Sequence, residues 1–492
     1  MIKNLIKKEY YPITIFAILF AAIYIILLDY IAVPWLDEIG TADTAINFLR
    51  THKWESNVWN YTYPPLHSFL LMGWMSLFGI SHISVCSMNV VFALISFLII
   101  ESWMINKKLF ESVIVRYSYL LLFWLACYSI NGIMVRGRID MLTMMFSVLL
   151  IIALIREGKT KTTYLGIVAS SIFLMLSCFY IIPVFVIISL FGFFVCPDWK
   201  EWFKRCVLMA SGFFIGFVLV CAFYYKIGFL FHFLSSLFSF NANVSSNGVN
   251  SSPFVLRLMN AYYVNNRDLS YLLFLLLAWL LLMMPNYLKT YNKRRMITIL
   301  LFVTLLPCIM TMVGRFYGPY KWMIALPIVC ILPYLIECCK VRMLKYVTCC
   351  LIMCMSLLKI GLIVHNQIKP NVEERIALRN YFDENEDLLS LSDNVFFRDG
   401  CLYYDLIDRG KNYYALFLDN VDIAPFIQEL EDLSIFENYK EKAPQVSLPD
   451  EGLMIMASTK HFKEWKEGLL QQGYQLQVLS ERSSYSITQF KR

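Results

Sequence analysis

The chain has 492 residues, of which 59% are hydrophobic and 16% are charged, and its mean hydropathy is +0.58. Soluble globular domains average about 25% charged residues, so this composition excludes an ordinary soluble protein and indicates that lipid is the main solvent. The net charge of +7 does not indicate nucleic-acid binding, because the basic residues lie in loops between apolar segments.

Segments long enough to cross a bilayer, each of about 20 largely apolar residues, recur along the chain. Apolar runs of nearly this length, with Lys359 the one charge inside them, cover residues 11–28, 83–100, 117–135, 141–155, 206–225, 269–288, 296–314, 322–336 and 346–364. The uncharged run 162–197 is too long for one helix, and we predict two spans that meet near Cys178, Phe179 and Tyr180. The sequence therefore predicts an all-α polytopic membrane bundle of about eleven transmembrane helices.

Basic residues concentrate in alternate loops, which indicates the orientation of the spans. The loops on the side of the N-terminus hold roughly twice as many Lys and Arg residues as the opposite loops, so the positive-inside rule predicts a cytoplasmic N-terminus and an outer C-terminus. Residues 66–79 are also apolar, but counting them as a span would reverse every later loop. With about fourteen residues this segment is short for a span, and we predict an outer juxtamembrane helix.

The chain changes character after His365. Residues 366–492 have no apolar run of spanning length and are rich in charged side chains. Residues 452–457, 474–479 and 484–490 are typical of strands, and Ser458 is typical of the N-cap of a helix that ends near Gln472. We therefore predict a transmembrane domain of residues 1–365 and a small mixed α/β outer domain of residues 366–492.

The first outer loop contains an acidic pair, Asp37 and Glu38. Apolar residues follow the pair at helical spacing, at Ala42, Ile46 and Leu49. This pattern predicts an amphipathic helix on the membrane surface with both carboxylates at its N-terminus, where negative charge is favoured. The pair either serves a reaction or only stabilises the helix, and these residues alone leave both interpretations open.

A second outer segment combines tyrosine, proline and histidine. The short juxtamembrane helix is preceded by Tyr63, Pro64 and Pro65 and begins with Leu66 and His67. The two prolines restrict the chain there. Tyrosine at a membrane interface is often only an anchor, and this segment alone favours that interpretation over a binding role.

A third outer segment, residues 136–140, places three charges between two apolar runs. An unpaired charge near hydrocarbon costs about 2.5–3.5 kcal/mol, so such charges usually pair or serve a site. Arg136 and Asp140 are four residues apart and could pair on a helix in a purely structural role, which still leaves Arg138 to bind an anion.

A fourth outer segment holds two cations and two phenols. The apolar run 322–336 is directly preceded by Arg315, Tyr317, Tyr320 and Lys321. Arginine offers a planar fork for phosphate oxygens and lysine a point charge, although the same residues are also typical of anchoring to lipid headgroups. Together the four segments place acids and cations at the outer ends of different spans. This arrangement suits a reaction between a membrane-bound phosphate and an outer acceptor.

The order of three motifs resembles a known family. The predicted outer loops contain, in this order, Asp37-Glu38, Tyr63-Pro64-Pro65-Leu66 and Arg138-Ile139-Asp140. They make the chain similar to the GT-C superfamily of membrane glycosyltransferases, in the branch of protein O-mannosyltransferases and aminoarabinose transferases. The resemblance implies a multi-span helical catalytic domain within residues 1–365, with juxtamembrane helices in the first outer loop.

The resemblance also implies a reaction. The chain is expected to move a sugar, with inversion, from a polyprenyl-phosphate carrier to a glycolipid, polysaccharide or protein acceptor on the outer face of a bacterial cytoplasmic membrane. Nucleic acid is not an expected partner. The alternative is a polytopic transporter or lipid-linked sugar flippase, but such proteins usually keep ionisable residues near the middle of the bilayer.

The implied catalytic acids are Asp37, Glu38 and Asp140, with Asp37 as the general base that deprotonates the acceptor. The same three carboxylates are candidate ligands of a divalent cation. The residues expected to bind the donor phosphate or sugar are Arg136, Arg138, Tyr63, His67, Arg315, Tyr317, Tyr320 and Lys321.

Overall fold

A computed structural model describes much of the membrane region and parts of the C-terminal region. The described residues are 11–31, 36–54, 63–107, 109, 111–129, 134, 136–156, 158–195, 198–235, 237, 322–337, 339, 341–385, 394–397, 412–415, 450–456, 470–471, 473–481 and 486–492. The predicted spans 269–288 and 296–314 lie outside these residues, as do Arg315, Tyr317, Tyr320 and Lys321.

Every apolar run that falls within the described residues forms a helix. The helices are α1 (Tyr11–Ile31), α2 (Leu36–Thr51), α3 (Leu66–Phe78), α4 (His82–Asn106), α5 (Val113–Ser129), α6 (Asp140–Ile155), α7 (Lys161–Ser177), α8 (Ile182–Val195), α9 (Trp199–Ile227), α10 (Leu230–Ser235), α11 (Trp322–Glu337) and α12 (Arg342–Glu384). Three apolar stretches within this part of the chain, α4, α9 and the Arg342–Leu362 portion of α12, are long enough to span a membrane by themselves. The chain is a helical multi-pass membrane protein, and the total of eleven spans stays a prediction.

The uncharged run 162–197 is divided where the sequence predicts. α7 ends at Ser177, Cys178 has an extended backbone, and a 3₁₀ turn (Phe179–Ile181) leads into α8. Pro183 lies in the first turn of α8, where a residue without an N–H costs no helical hydrogen bond. Two helices therefore form instead of one, as predicted.

The short helix α3 is also confirmed. It has 13 residues, begins after the two prolines and ends at Gly79, whose φ is +82°. A helix of this length extends about 20 Å, which is less than the hydrocarbon thickness of about 30 Å. Its length is consistent with a juxtamembrane position.

Helices α7 and α9 approach closely through two glycines of α9. A Cβ on Gly212 would lie 2.7 Å from the Cβ of Ser171 and 2.8 Å from the carbonyl oxygen of Val168. A Cβ on Gly216 would lie 2.7 Å from the Cβ of Met175. Small residues four apart allow helix backbones to pack closely in lipid, where the hydrophobic effect does not hold helices together.

The Gly212→Ala variant is expected to lose about 1–3 kcal/mol of stability, because the added methyl group meets backbone that cannot move aside easily. The matched control is Gly361→Ala in α12, where a Cβ meets nothing within 4 Å. The folded fraction of purified protein along a denaturant series in detergent measures both. Equal stability of the two variants would show that the α7–α9 contact is looser than described.

The side chain of Arg205 binds the C-terminal end of α6, the helix whose first residue is Asp140. The side chain of Arg205 donates to the carbonyl oxygens of Leu154 and Arg156, at 2.6 and 2.8 Å, and to that of Gly158 at 3.0 Å. These acceptors lie at and just beyond the C-terminus of α6, where carbonyl groups lack helical partners and a cation is favoured. α6 is therefore anchored at the end opposite to Asp140.

Five strands of the C-terminal region form one sheet within the described residues. They are β1 (Asn394–Phe397), β2 (Asn412–Ala415), β3 (Glu451–Met456), β4 (Gln475–Glu481) and β5 (Ser486–Lys491), in the order β2-β1-β3-β5-β4. β1 is parallel to β2 and β3, whereas β5 is antiparallel to β3 and β4. The three strands predicted from sequence are confirmed as β3, β4 and β5. α12 continues through residue 365, so the predicted domain boundary falls inside a helix.

Candidate active site

Helix α2 places the acidic pair at its beginning, as predicted. Asp37 and Glu38 lie in its first turn, and their side chains are outside the described part of the structure. Further along α2, Ala45 and Ile46 are buried. Asp43 is also fully buried, and the Nδ2 atom of Asn47 lies 3.5 Å from its Oδ2. This third carboxylate is not among the residues predicted from the sequence, although its position between alanines on the apolar side of α2 is a signal.

Aromatic side chains fasten the first outer loop to the bundle. The ring of Trp54 lies 4.8 Å from that of Phe69 in α3 and 5.0 Å from that of Phe223 in α9, measured between centroids. The hydroxyl of Tyr224 in α9 donates a 2.7 Å hydrogen bond to the carbonyl oxygen of Tyr63. Both ends of the segment before α3 are therefore attached to the C-terminal end of α9. These contacts position Tyr63 and His67, the residues predicted to bind the sugar, next to that end of α9.

His67 is buried in the first turn of α3. It is 1% exposed, and neither ring nitrogen has a hydrogen-bond partner among the described residues. Burial lowers its pKa to about 4, so the imidazole is neutral at pH 7. His67 therefore offers one donor and one acceptor without a charge. This chemistry suits a hydroxyl group better than the charge of a phosphate, to which the sequence analysis also assigned it.

The carboxylate of Asp140 pairs with a different arginine from the one that helical spacing suggests. Asp140 pairs with Arg138, whose Nε lies 2.9 Å from Oδ2, and both side chains are nearly inaccessible to solvent. The expected partner, Arg136, lies in the bend before α6, which begins only at Asp140. Helical i, i+4 spacing does not apply across that boundary. The guanidinium of Arg138 is therefore oriented by a carboxylate instead of standing alone.

Helix α4 donates hydrogen bonds to the 136–140 segment. The Nδ2 atom of Asn89 donates to the carbonyl oxygens of Arg136 and Arg138. The indole Nε1 of Trp74 in α3 donates at 3.0 Å to the hydroxyl of Ser87, also in α4. α4 thus contacts both the juxtamembrane helix and the 136–140 segment. Asn89 is not predictable from the sequence, because one amide within an apolar run is no signal of a site.

Two of the three candidate ligands of a divalent cation, Asp37 and Glu38, have side chains outside the described part of the structure, so the cation stays a prediction. Among the described residues, no three His, Cys, Asp or Glu side chains lie together as metal ligands would. Of the predicted ligands, Asp140 is already paired with a guanidinium, which would repel a second cation. We therefore derive no step of the reaction through a metal.

Comparison with known proteins identifies the fold. No protein-family model matches the chain, and no curated protein matches its sequence. ArnT from Cupriavidus metallidurans bound to undecaprenyl phosphate matches 96% of this chain and 97% of its own, with a TM-score of 0.60 and 10% identity. ArnT in the apo state gives a TM-score of 0.59 over the same shares, also at 10% identity. The chain has the ArnT fold.

ArnT is an aminoarabinose transferase with the GT-C fold, so the resemblance predicted from three short motifs is confirmed at the level of the fold. Within this ArnT fold, α2 packs on α3 and α3 packs on α4. α4 in turn is hydrogen-bonded to the segment that contains Arg138 and Asp140. The structure thereby connects three of the four predicted outer segments through one series of packed helices.

Proposed function

We propose that this protein is a membrane glycosyltransferase that moves a sugar from a polyprenyl-phosphate carrier to an acceptor. The observation that carries the proposal is the ArnT fold over 96% of the chain, in a protein of which one structure is bound to undecaprenyl phosphate. The buried Arg138–Asp140 pair at the predicted outer end of α6 supports it, because a fixed cation there suits a carrier phosphate.

The residues suggest a single displacement. Asp37 takes the proton of an acceptor hydroxyl as its oxygen attacks the anomeric carbon, with Glu38 adjacent. The bond from that carbon to the carrier phosphate breaks, and the phosphate leaves with the electron pair. Fixed cations stabilise its growing charge. This step inverts the configuration of the anomeric carbon.

The cations proposed for the leaving phosphate are Arg138, oriented by Asp140, together with Arg136, Arg315 and Lys321. The side chains proposed for the sugar are Tyr63, Tyr317 and Tyr320, which offer aromatic faces and hydroxyl groups, and the neutral imidazole of His67.

The proposed location is the cytoplasmic membrane of a bacterium, with the site and residues 366–492 on the outer side. Lysine and arginine in alternate loops support that orientation. The proposed acceptor is a cell-envelope molecule, such as a glycolipid of the lipopolysaccharide type or a polysaccharide, with protein as a further candidate.

The purified protein in liposomes is expected to release polyprenyl phosphate from a polyprenyl-phosphate sugar when an outer acceptor is supplied. Release is followed with a radiolabelled sugar while flux of labelled carrier between leaflets is measured in parallel. Flux without release would support the alternative, a flippase or transporter. One observation favours that alternative: Glu101 in α4 is 1% exposed, and its carboxylate has no hydrogen-bond partner among the described residues. Glu101 lies within the last two turns of α4, however, and not at the middle of the helix.

A further inference from the structure

Asn89 makes two hydrogen bonds to the segment that carries Arg138 and Asp140. Its Nδ2 donates to the main-chain carbonyl oxygens of Arg136 and Arg138. Both partners are acceptors only, so the group that faces them is the NH₂ of the amide, which has two hydrogens to donate. The carbonyls on both sides of Gly137 are therefore attached to α4 immediately before the ion pair.

The rest of the amide has no comparable contact. Asn89 is fully buried, and its Oδ1 has no hydrogen-bond partner among the described residues. An unsatisfied buried acceptor destabilises the folded protein. An apolar side chain at this position of α4 would avoid that cost, so the contribution specific to the amide is the pair of bonds to residues 136 and 138.

Close packing places the same segment against α4 one turn earlier. A Cβ on Gly137 would lie 2.2 Å from Cγ1 of Val85, so a larger residue would require the segment or the Val85 side chain to shift. Val85 and Asn89 are four residues apart on one face of α4. The segment is thus in contact with two successive turns of α4, by packing at one and by hydrogen bonds at the other.

We infer that Asn89 is a positioning residue of the transferase reaction, which acts through Arg138 without touching the substrate. It sets where the guanidinium of Arg138 and the carboxylate of Asp140 lie relative to the carrier phosphate. The role of Arg138 in this inference rests on the proposed function, whereas the two hydrogen bonds do not.

Two substitutions of Asn89 separate the donor from the volume of the side chain. Asn89→Ala removes both hydrogen bonds. Asn89→Asp keeps the shape but points a carboxylate oxygen at two carbonyl oxygens, and no donor among the described residues faces the other oxygen to compensate. We expect kcat/KM for the carrier to fall about tenfold in Asn89→Ala, the equivalent of one or two hydrogen bonds. In Asn89→Asp, which displaces Arg138, we expect a fall of about 100-fold.

The matched control is Ser96→Ala. Ser96 lies seven residues further along α4, is fully buried, and donates to the carbonyl oxygen of Phe92 within its own helix. Its loss perturbs α4 without reaching residues 136–140. All rates are normalised to folded protein, as judged by size-exclusion chromatography, so that a difference in yield does not enter the comparison.

The decisive readout is a double variant. If Asn89 acts through Arg138, adding Asn89→Ala to Arg138→Ala causes no further loss of kcat/KM. Multiplied losses, or a control that loses as much as Asn89→Ala, would overturn the inference.

Amide hydrogen exchange of residues 137–140 in the full chain is a second readout, and it does not depend on activity. It should be faster in Asn89→Ala than in Ser96→Ala, and equal exchange would also overturn the inference. A wild type without turnover on any carrier would overturn the proposed function and the catalytic part of the inference. Faster exchange would then still establish the hydrogen bonds to residues 136 and 138.

Discussion

The Asp37→Asn variant is expected to release polyprenyl phosphate about 10²- to 10⁴-fold more slowly than the wild type, because asparagine keeps the shape of the side chain but accepts no proton. Asp37 lies in the first turn of α2, whose middle is buried at Ala45 and Ile46, so the exchange of one atom there leaves the helix in place. The rate is measured in a single turnover on liposomes with saturating carrier and acceptor, so that the chemical step and not binding is observed.

Two comparison variants make this result specific. Glu38→Gln makes the same change at the next position and is expected to have the smaller effect, because the proposed base is Asp37. Asp198→Asn makes the same change at an exposed carboxylate that caps α9, and asparagine caps a helix equally well. It should leave the rate unchanged. Equal rates in Asp37→Asn and the wild type would show that Asp37 is not the base. They would not contradict the proposed glycosyltransferase activity.

Sequence alone predicts those features of the fold that depend on local composition. The division of residues 162–197 at Cys178 follows from the length of an uncharged run. The short helix α3 follows from two prolines before it and a glycine after it. Both rest on limits that hold in any bilayer, namely the number of residues needed to cross it and the residues that interrupt a helix.

The geometry of the candidate site is only partly predictable from sequence. Arg136 and Arg138 are both within reach of Asp140 along the chain, and the choice depends on α6 beginning at residue 140 and not four residues earlier. Element boundaries are the least certain part of a sequence prediction. Asn89 is 47 residues from one of its partners, so its role depends on tertiary packing that no local pattern records. The spacing of residues along the chain predicts the chemistry available, whereas helix boundaries and packing decide which groups meet.

Removing either partner of the Arg138–Asp140 pair is expected to lower the free energy of unfolding by about 3–5 kcal/mol. Each of the single variants Arg138→Met and Asp140→Leu takes away the 2.9 Å partner of a charge that is nearly inaccessible to solvent. The double variant Arg138→Met/Asp140→Leu buries no charge at this position, and it should recover most of the lost stability. The folded fraction along a denaturant series at fixed detergent concentration measures all three.

Stability and activity should separate in the double variant, and this separation tests whether the pair serves the reaction. If Arg138 holds the carrier phosphate, the recovered protein should still release polyprenyl phosphate at least about 100-fold more slowly than the wild type, because no hydrophobic residue replaces a cation at the leaving group. The matched control is the pair Lys159–Asp198, joined at a similar distance of 2.8 Å but exposed. Its removal by Lys159→Met and Asp198→Asn, which keeps the N-cap of α9, should change neither property. A double variant that is both stable and fully active would show that the pair only fixes the packing of α6 against α4. Its charges would then have no part in catalysis.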